Sequence, residues 1–176
     1  MLRKILFGLV ALVVVLITVI IIQPSEYRVS RTLTMAAPPQ DIFAQLNDFH
    51  RWEAWSPWAK LDPKAKVSFE GPAAGKGAIF AWSGNSKVGE GRMTLVESTP
   101  DSFVRTRTDF VKPFVGSSYS EFTLRPEGNS TAVSWTMFGQ NDFIGKAMCL
   151  VISMDKMLGG EMEKGLTSIK GLVEGK

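Results

Sequence analysis

Three different spacings of apolar residues follow one another along the chain. From Ile5 to Ile22, eighteen residues pass without a charge; as a helix they span roughly 27 Å at ~1.5 Å per residue, close to the ~30 Å of a bilayer core. The stretch ends in Ile20-Ile21-Ile22-Gln23-Pro24, where the proline stops the helix. A cleaved secretory signal is the alternative, but the apolar run is long for one and no small-x-small site follows it. The pattern therefore predicts a membrane anchor over residues 1–24. Arg3, Lys4 and the amino group precede the span while Glu26 and Arg28 cancel after it, so the amino terminus is expected in the cytoplasm and residues 25–176 on the outer side, whether periplasmic, extracellular or lumenal.

Beyond Pro24 the spacing changes to two. Tyr27, Val29, Leu33 and Met35 alternate with Arg28, Ser30, Thr32 and Thr34, as in a half-buried strand. Pro38-Pro39 ends it. Asp41, Ile42, Phe43 and Leu46 suggest a turn or two of helix, and Phe49 to Trp55 a second short helical or turn segment. Further strands are predicted over 66–70, 78–82, 88–98, 102–110, 118–125 and 130–138, separated by turns such as Ser83-Gly84-Asn85-Ser86, Pro100-Asp101 and Pro126-Glu127-Gly128-Asn129 and by a connector over Lys112-Pro113-Phe114-Val115-Gly116. Gly89 and Gly91 inside one strand allow a side chain or a bound molecule to approach the backbone.

The last spacing is helical. Ile144, Met148, Val151, Met154, Leu158, Met162, Ile169 and Val173 recur at three and four positions, predicting one long helix from Asn141 to Val173, capped by Asp142 and bent or broken at Gly159-Gly160. A helix with one apolar side after a series of antiparallel strands makes an α+β domain, a curved sheet with one face against the helix. Space left between the two is where an apolar ligand would lie.

Charge adds little to this picture. With Arg3 and Lys4 set aside, eighteen basic residues face seventeen acidic ones, so the folded part is nearly neutral. No basic stripe with interleaved aromatics marks a nucleic-acid partner. Cys149 and His50 are single copies, which supports neither a disulfide nor a metal cluster, and no cofactor motif is present. Gly75-Lys76-Gly77 leads into a strand, so it is a turn and not a phosphate loop.

Four features carry a resemblance: Ala36 to Phe43 after the first strand, the three indoles of Trp52-Glu53-Ala54-Trp55-Ser56-Pro57-Trp58, the hairpin from Gly75-x-Gly77 to Trp82-x-Gly84-Asn85, and the long carboxy-terminal helix. Together they resemble the polyketide cyclase/dehydrase-like branch of the START and Bet v 1-like superfamily, SRPBCC, over roughly Tyr27 to Glu174. The resemblance implies the helix-grip fold, an antiparallel sheet wrapped around the terminal helix with a hydrophobic cavity between them. Its members include lipid carriers, hormone receptors and aromatic-ring cyclases, and it supplies no catalytic residue here.

Candidate ligand contacts follow from strand parity. Phe80, Trp82, Met93, Phe110, Phe122 and Trp135 fall on the concave face, with Leu95 and Met137 beside them. Trp55 and Trp58 stand at the predicted mouth, Met154 on the helix, and Thr108, with Thr106 and Ser120, supplies hydroxyls on that wall. Each has a plainer reading: indoles and phenylalanines cap cores, methionines fill gaps and strand hydroxyls pair across strands. The indoles are also suited to the membrane headgroup level. Three function classes remain open. The first is a membrane-tethered module binding a small hydrophobic molecule or lipid. The second is a cyclase or dehydratase acting on an apolar carbonyl compound, with Asp109 or Glu121 as a buried general base. A structural or interaction role is the third possibility.

Overall fold

The computed structural model describes residues 2–113 and 115–175; Phe114, at the centre of the predicted connector, lies outside them. Helix α1 (Leu2–Ile21) leads into strand β1 (Glu26–Met35), and helix α2 (Pro39–Leu46) is followed by two 3-10 turns, Phe49–Ala54 and Ala59–Leu61. Six strands follow: β2 (Lys66–Glu70), β3 (Ile79–Ser83), β4 (Glu90–Thr99), β5 (Phe103–Lys112), β6 (Gly116–Glu127) and β7 (Ser130–Gln140). Helices α3 (Phe143–Cys149) and α4 (Met154–Glu174) close the chain.

The seven strands form one sheet in the order β1-β7-β6-β5-β4-β3-β2, antiparallel throughout. β2 to β7 are a simple meander, and β1 joins it at the far edge by pairing with β7 from Glu26↔Gln140 to Met35↔Thr131. α2 and the 3-10 turns carry the chain from one edge of the sheet to the other. This is the helix-grip arrangement expected of the sequence, in which the terminal helix lies in the curve of the sheet.

The grip closes over one half only. α4 lies along β1 and buries Met162, Leu166, Ile169 and Val173, residues whose spacing places them on one side of the helix. The predicted single helix is in fact two. Phe143–Cys149 and Met154–Glu174 are separated by a break at Leu150–Ser153, while Gly159-Gly160 continues the helix. Gly159 has another purpose: a Cβ there would collide with the guanidinium of Arg31, which reaches from β1 to bond Asp155 at 2.8 Å and Glu163 at 2.6 Å. Arg31 thus ties the first three turns of α4 to the sheet edge, and the helix is interrupted upstream of that tie.

The predicted indole cluster closes the same half from the other side. Trp52 and Trp55 are buried, their Nε1–H groups donating to the carbonyls of Leu46 at 3.0 Å and Gln45 at 3.2 Å. Trp55 meets Phe122 and Trp135 edge-on at 6.1 and 5.8 Å, and Phe122 stacks on Trp135 at 4.8 Å. Headgroup anchoring by Trp52 and Trp55 is corrected by this packing, since both rings are spent inside the core.

Candidate functional site

The inner face of the sheet follows the predicted parity, but its cover is uneven. Leu95, Val104, Phe122 and Trp135 are fully buried beneath α4 and the indoles. Towards the end where α1 leaves the domain, Phe80, Trp82 and Met93 are half-buried and Phe110 is 39% exposed. These three rings form a ladder: Phe80 stacks on Trp82 at 5.8 Å, and Trp82 meets Phe110 edge-on at 6.0 Å. The ladder depends on Gly91. The Trp82 ring lies across its α-carbon, so that a Cβ there would sit 2.7 Å from Cζ2, and the indole Nε1–H donates to the carbonyl of Val88 at 3.0 Å.

Beside Phe110, at the end of the sheet, opens a groove of about 930 Å³, lined by Tyr27 and Gly139 of the inner face, Tyr119 and Phe138 of the outer face, Asn141, Ile144 and Met148 on the α3 side, and Val115. α3, separated from α4 by the break at Leu150–Ser153, packs against α1 and supplies one side of this groove. Gly139 leaves room for the Tyr27 ring, whose hydroxyl stands 2.9 Å from where a Cβ would be. Burial pushes the Tyr27 phenol above its ordinary pKa, and a hydrogen bond with Ser118 works against that rise.

The floor beneath these rings carries hydroxyls. Thr106, Thr108, Ser118 and Ser120 are all buried on the inner face, opposite one another on β5 and β6. Cross-strand hydroxyl pairing, the plainer reading, occurs on the outer face at Ser30–Thr136 and Thr32–Ser134. On the inner face Thr106 Oγ1 has no hydrogen-bond partner, and neither has Trp135 Nε1. A buried polar group without a partner costs about 1–3 kcal/mol, so such groups merit an account where a binding fold places them on its inner wall.

The ten candidate contacts therefore separate into two sets. Phe80, Trp82, Met93, Thr108 and Phe110 gather on the half of the sheet that α4 leaves uncovered. Trp55, Phe122 and Trp135 fill the closed half, Trp58 packs edge-on against Trp135 at 5.8 Å, and Met154 begins α4 against the core. Residue reasoning did not single out Tyr27, Gly139, Ile144 or Val115 as groove residues. Tyr27 and Ile144 had been recognised only as members of apolar periodicities.

The two carboxylates considered as general bases stand on the outer face. Glu121 is held by Arg105 at 2.7 Å, and Asp109 by Arg107 at 2.8 Å and by the Ser117 hydroxyl. Of the groove's acidic residues, Asp142 is engaged as the cap of α3, accepting from Gly145 N–H at 2.7 Å, and Glu26 lies at the start of β1. His50 stacks on Phe69 and bonds Asp48 at 2.8 Å. Among the described residues no group of three or more His, Cys, Asp or Glu is placed to hold a metal ion.

The profile of the family described as polyketide cyclase/dehydrase and lipid transport matches residues 26–174. The chain belongs to this family. Among solved structures, a protein from Chromobacterium violaceum aligns over 86% of this chain and 98% of its own at 17% identity, with a TM-score of 0.59. The di-domain aromatase/cyclase StfQ of the steffimycin biosynthetic pathway aligns over 85% of this chain and 51% of its own at 12% identity, TM-score 0.62. Ara h 8.0201 aligns over 86% and 99% at 11% identity, TM-score 0.58. No curated protein matches the sequence. At these identities the likenesses establish the helix-grip fold. Family membership supports the binding or conversion of hydrophobic small molecules in general terms.

Proposed function

We propose that this member of the family is a membrane-tethered protein that binds a small hydrophobic molecule or lipid in the groove between the sheet and α3. The observation that carries the reading is the uncovered aromatic ladder Phe80-Trp82-Phe110 opening beside that groove. Its rings offer apolar area, and the polar side chains of Tyr27, Gln140 and Asn141 in the groove lining offer hydrogen bonds to a polar group on the guest. That combination of an apolar wall with a few convergent polar atoms is how small-molecule sites discriminate. α1, with 19 residues of mean hydropathy 3.0 and hardly any of them buried by the domain, serves as the tether, with the amino terminus in the cytoplasm and the domain on the outer side.

A cyclase or dehydratase reading needs a carboxylate or other base facing the guest. Asp109 and Glu121 are paired with arginines on the opposite face, so binding is the reading these side chains favour. The test is native mass spectrometry of the full chain released from mild detergent, screened against a panel of lipids and aromatic compounds. An apolar adduct that disappears in Phe110→Arg, with thermal stability retained, is expected. A homogeneous unliganded mass across the panel would overturn the proposal.

A further inference from the structure

The end of the domain nearest α1 carries apolar residues that nothing among the described residues covers. Val151 is 86% exposed and Val115 83%, with Phe143, Ile144, Ile152 and Val111 each about half exposed. They belong to two separate stretches, α3 with its following break, and the end of β5 together with Val115 just before β6. Exposed apolar residues gathered at one end of a domain mark a contact with a partner or a membrane. Two observations decide between occupants. The last turn of α1 is packed against α3, with Ile20 buried, and Lys146 Nζ donates to the carbonyl of Ile21 at 3.2 Å. The last turn of α1 contains no basic residue of its own, so Lys146 supplies the positive charge that a helix carboxyl end favours. α3 is thereby held at the point where α1 emerges from its apolar span. Any surface fixed there faces the bilayer.

We infer that α3, the break after it and Val115 sit in the interfacial layer of the membrane that α1 crosses, forming a mouth through which a lipid-like guest passes between the outer monolayer and the groove. Ile144 and Val115 belong both to the exposed surface and to the groove lining, so the path from acyl chains to Phe110 need not cross water. The inference rests on the reading of α1 as a membrane span and extends it to the occupant of this face, a phospholipid monolayer.

The experiment uses the full chain in phospholipid nanodiscs, in a Cys149→Ser background carrying Val151→Cys, Val115→Cys or Asn129→Cys, each labelled with a small fluorophore. Asn129 lies in the β6–β7 turn at the opposite end of the sheet and reports the aqueous baseline. Quenchers are nitroxides fixed at graded depths on the lipid, together with a soluble quencher. The expected result is lipid-borne quenching at positions 151 and 115, at the depth of about 5–10 Å typical of interfacial apolar faces, and none at 129. Resistance of the same protein to alkaline extraction from vesicles reports α1 separately. Alkaline resistance with no lipid quenching at 151 and 115 overturns the mouth and leaves the tether standing. Shielding from the soluble quencher without lipid quenching assigns the face to a second copy and also overturns it. Alkaline release overturns both.

Discussion

The ladder beside the groove exists only because position 91 has no side chain, which makes Gly91→Ala a severe but interpretable perturbation. The added methyl would lie 2.7 and 2.8 Å from Trp82 Cζ2 and Cη2, and 2.8 Å from the carbonyl oxygen of Asp109. The indole is tied by its bond to Val88, and the carbonyl belongs to the neighbouring strand. Neither gives way freely. Overpacking of this kind costs about 1–3 kcal/mol, against roughly 0.5–1 kcal/mol gained when alanine replaces a glycine inside a strand. The expected net destabilisation is about 1–2 kcal/mol, which for a domain of about 150 residues means a fall in Tm of roughly 2–8 °C. The assay is thermal unfolding of the full chain in mild detergent, followed by near-ultraviolet circular dichroism. If the clash is with the indole, the cost must shrink in a Trp82→Leu background, giving a coupling of at least about 0.5 kcal/mol in the double-mutant cycle. Gly91→Ala with unchanged Tm and no coupling to position 82 would refute the seating of Trp82 on Gly91.

Trp135 carries a buried Nε1 without a partner, so Trp135→Phe should cost under about 1.5 kcal/mol in chemical denaturation, the smaller ring's lost contacts being offset by relief of the unpaired N–H. Trp135→Ala should cost about 3–5 kcal/mol, and a phenylalanine variant as damaged as the alanine one would show that the indole N–H is bonded. Arg31 holds the Asp155 carboxyl below the usual carboxylate range, chiefly by hydrogen bonding. Because the folded pKa lies below the unfolded value near ~3.9, that stabilisation is complete above this value and is lost as pH falls through the folded pKa. Urea midpoints measured down an acid series should therefore fall less steeply in Asp155→Asn than in the parent, and parallel curves would remove Arg31–Asp155 as a tie on α4. For Tyr27 the folded pKa is raised by burial, so its contribution is complete below the ordinary tyrosine value of about 10 and is lost as pH rises through the folded value. Phenolate absorbance should show one of the two tyrosines titrating late, and later still in Ser118→Ala, where the opposing hydrogen bond is gone.

The candidate site was legible in part. Strand parity placed Phe80, Trp82, Met93, Thr108 and Phe110 on one face, because alternation along a strand is a local property that survives any arrangement of neighbours. The division of that face into a filled half and an open half was not legible. It depends on Trp55 and Trp58, about eighty residues away from Trp135 along the chain, reaching it in space, and on where the terminal helix stops. Helical spacing runs through Leu150–Ser153 without interruption, and glycine pairs are the usual place to expect a bend. In this fold Gly159 instead makes room for the Arg31 guanidinium, and the chain breaks upstream at residues with ordinary helical side chains.

Periodicity and turn chemistry within short windows were enough to specify the apolar amino-terminal helix, the order of the strands, the inward face of most strands and the family's fold. Contacts between remote segments made β1 close the sheet beside β7, packed the indole and phenyl rings of the closed half together, and set α3 at the foot of α1 with a groove beside it. Those outcomes are set by which distant surfaces meet. Burial free energy depends on area removed from water, and a one-dimensional pattern shows which side of an element is apolar without showing what will cover it.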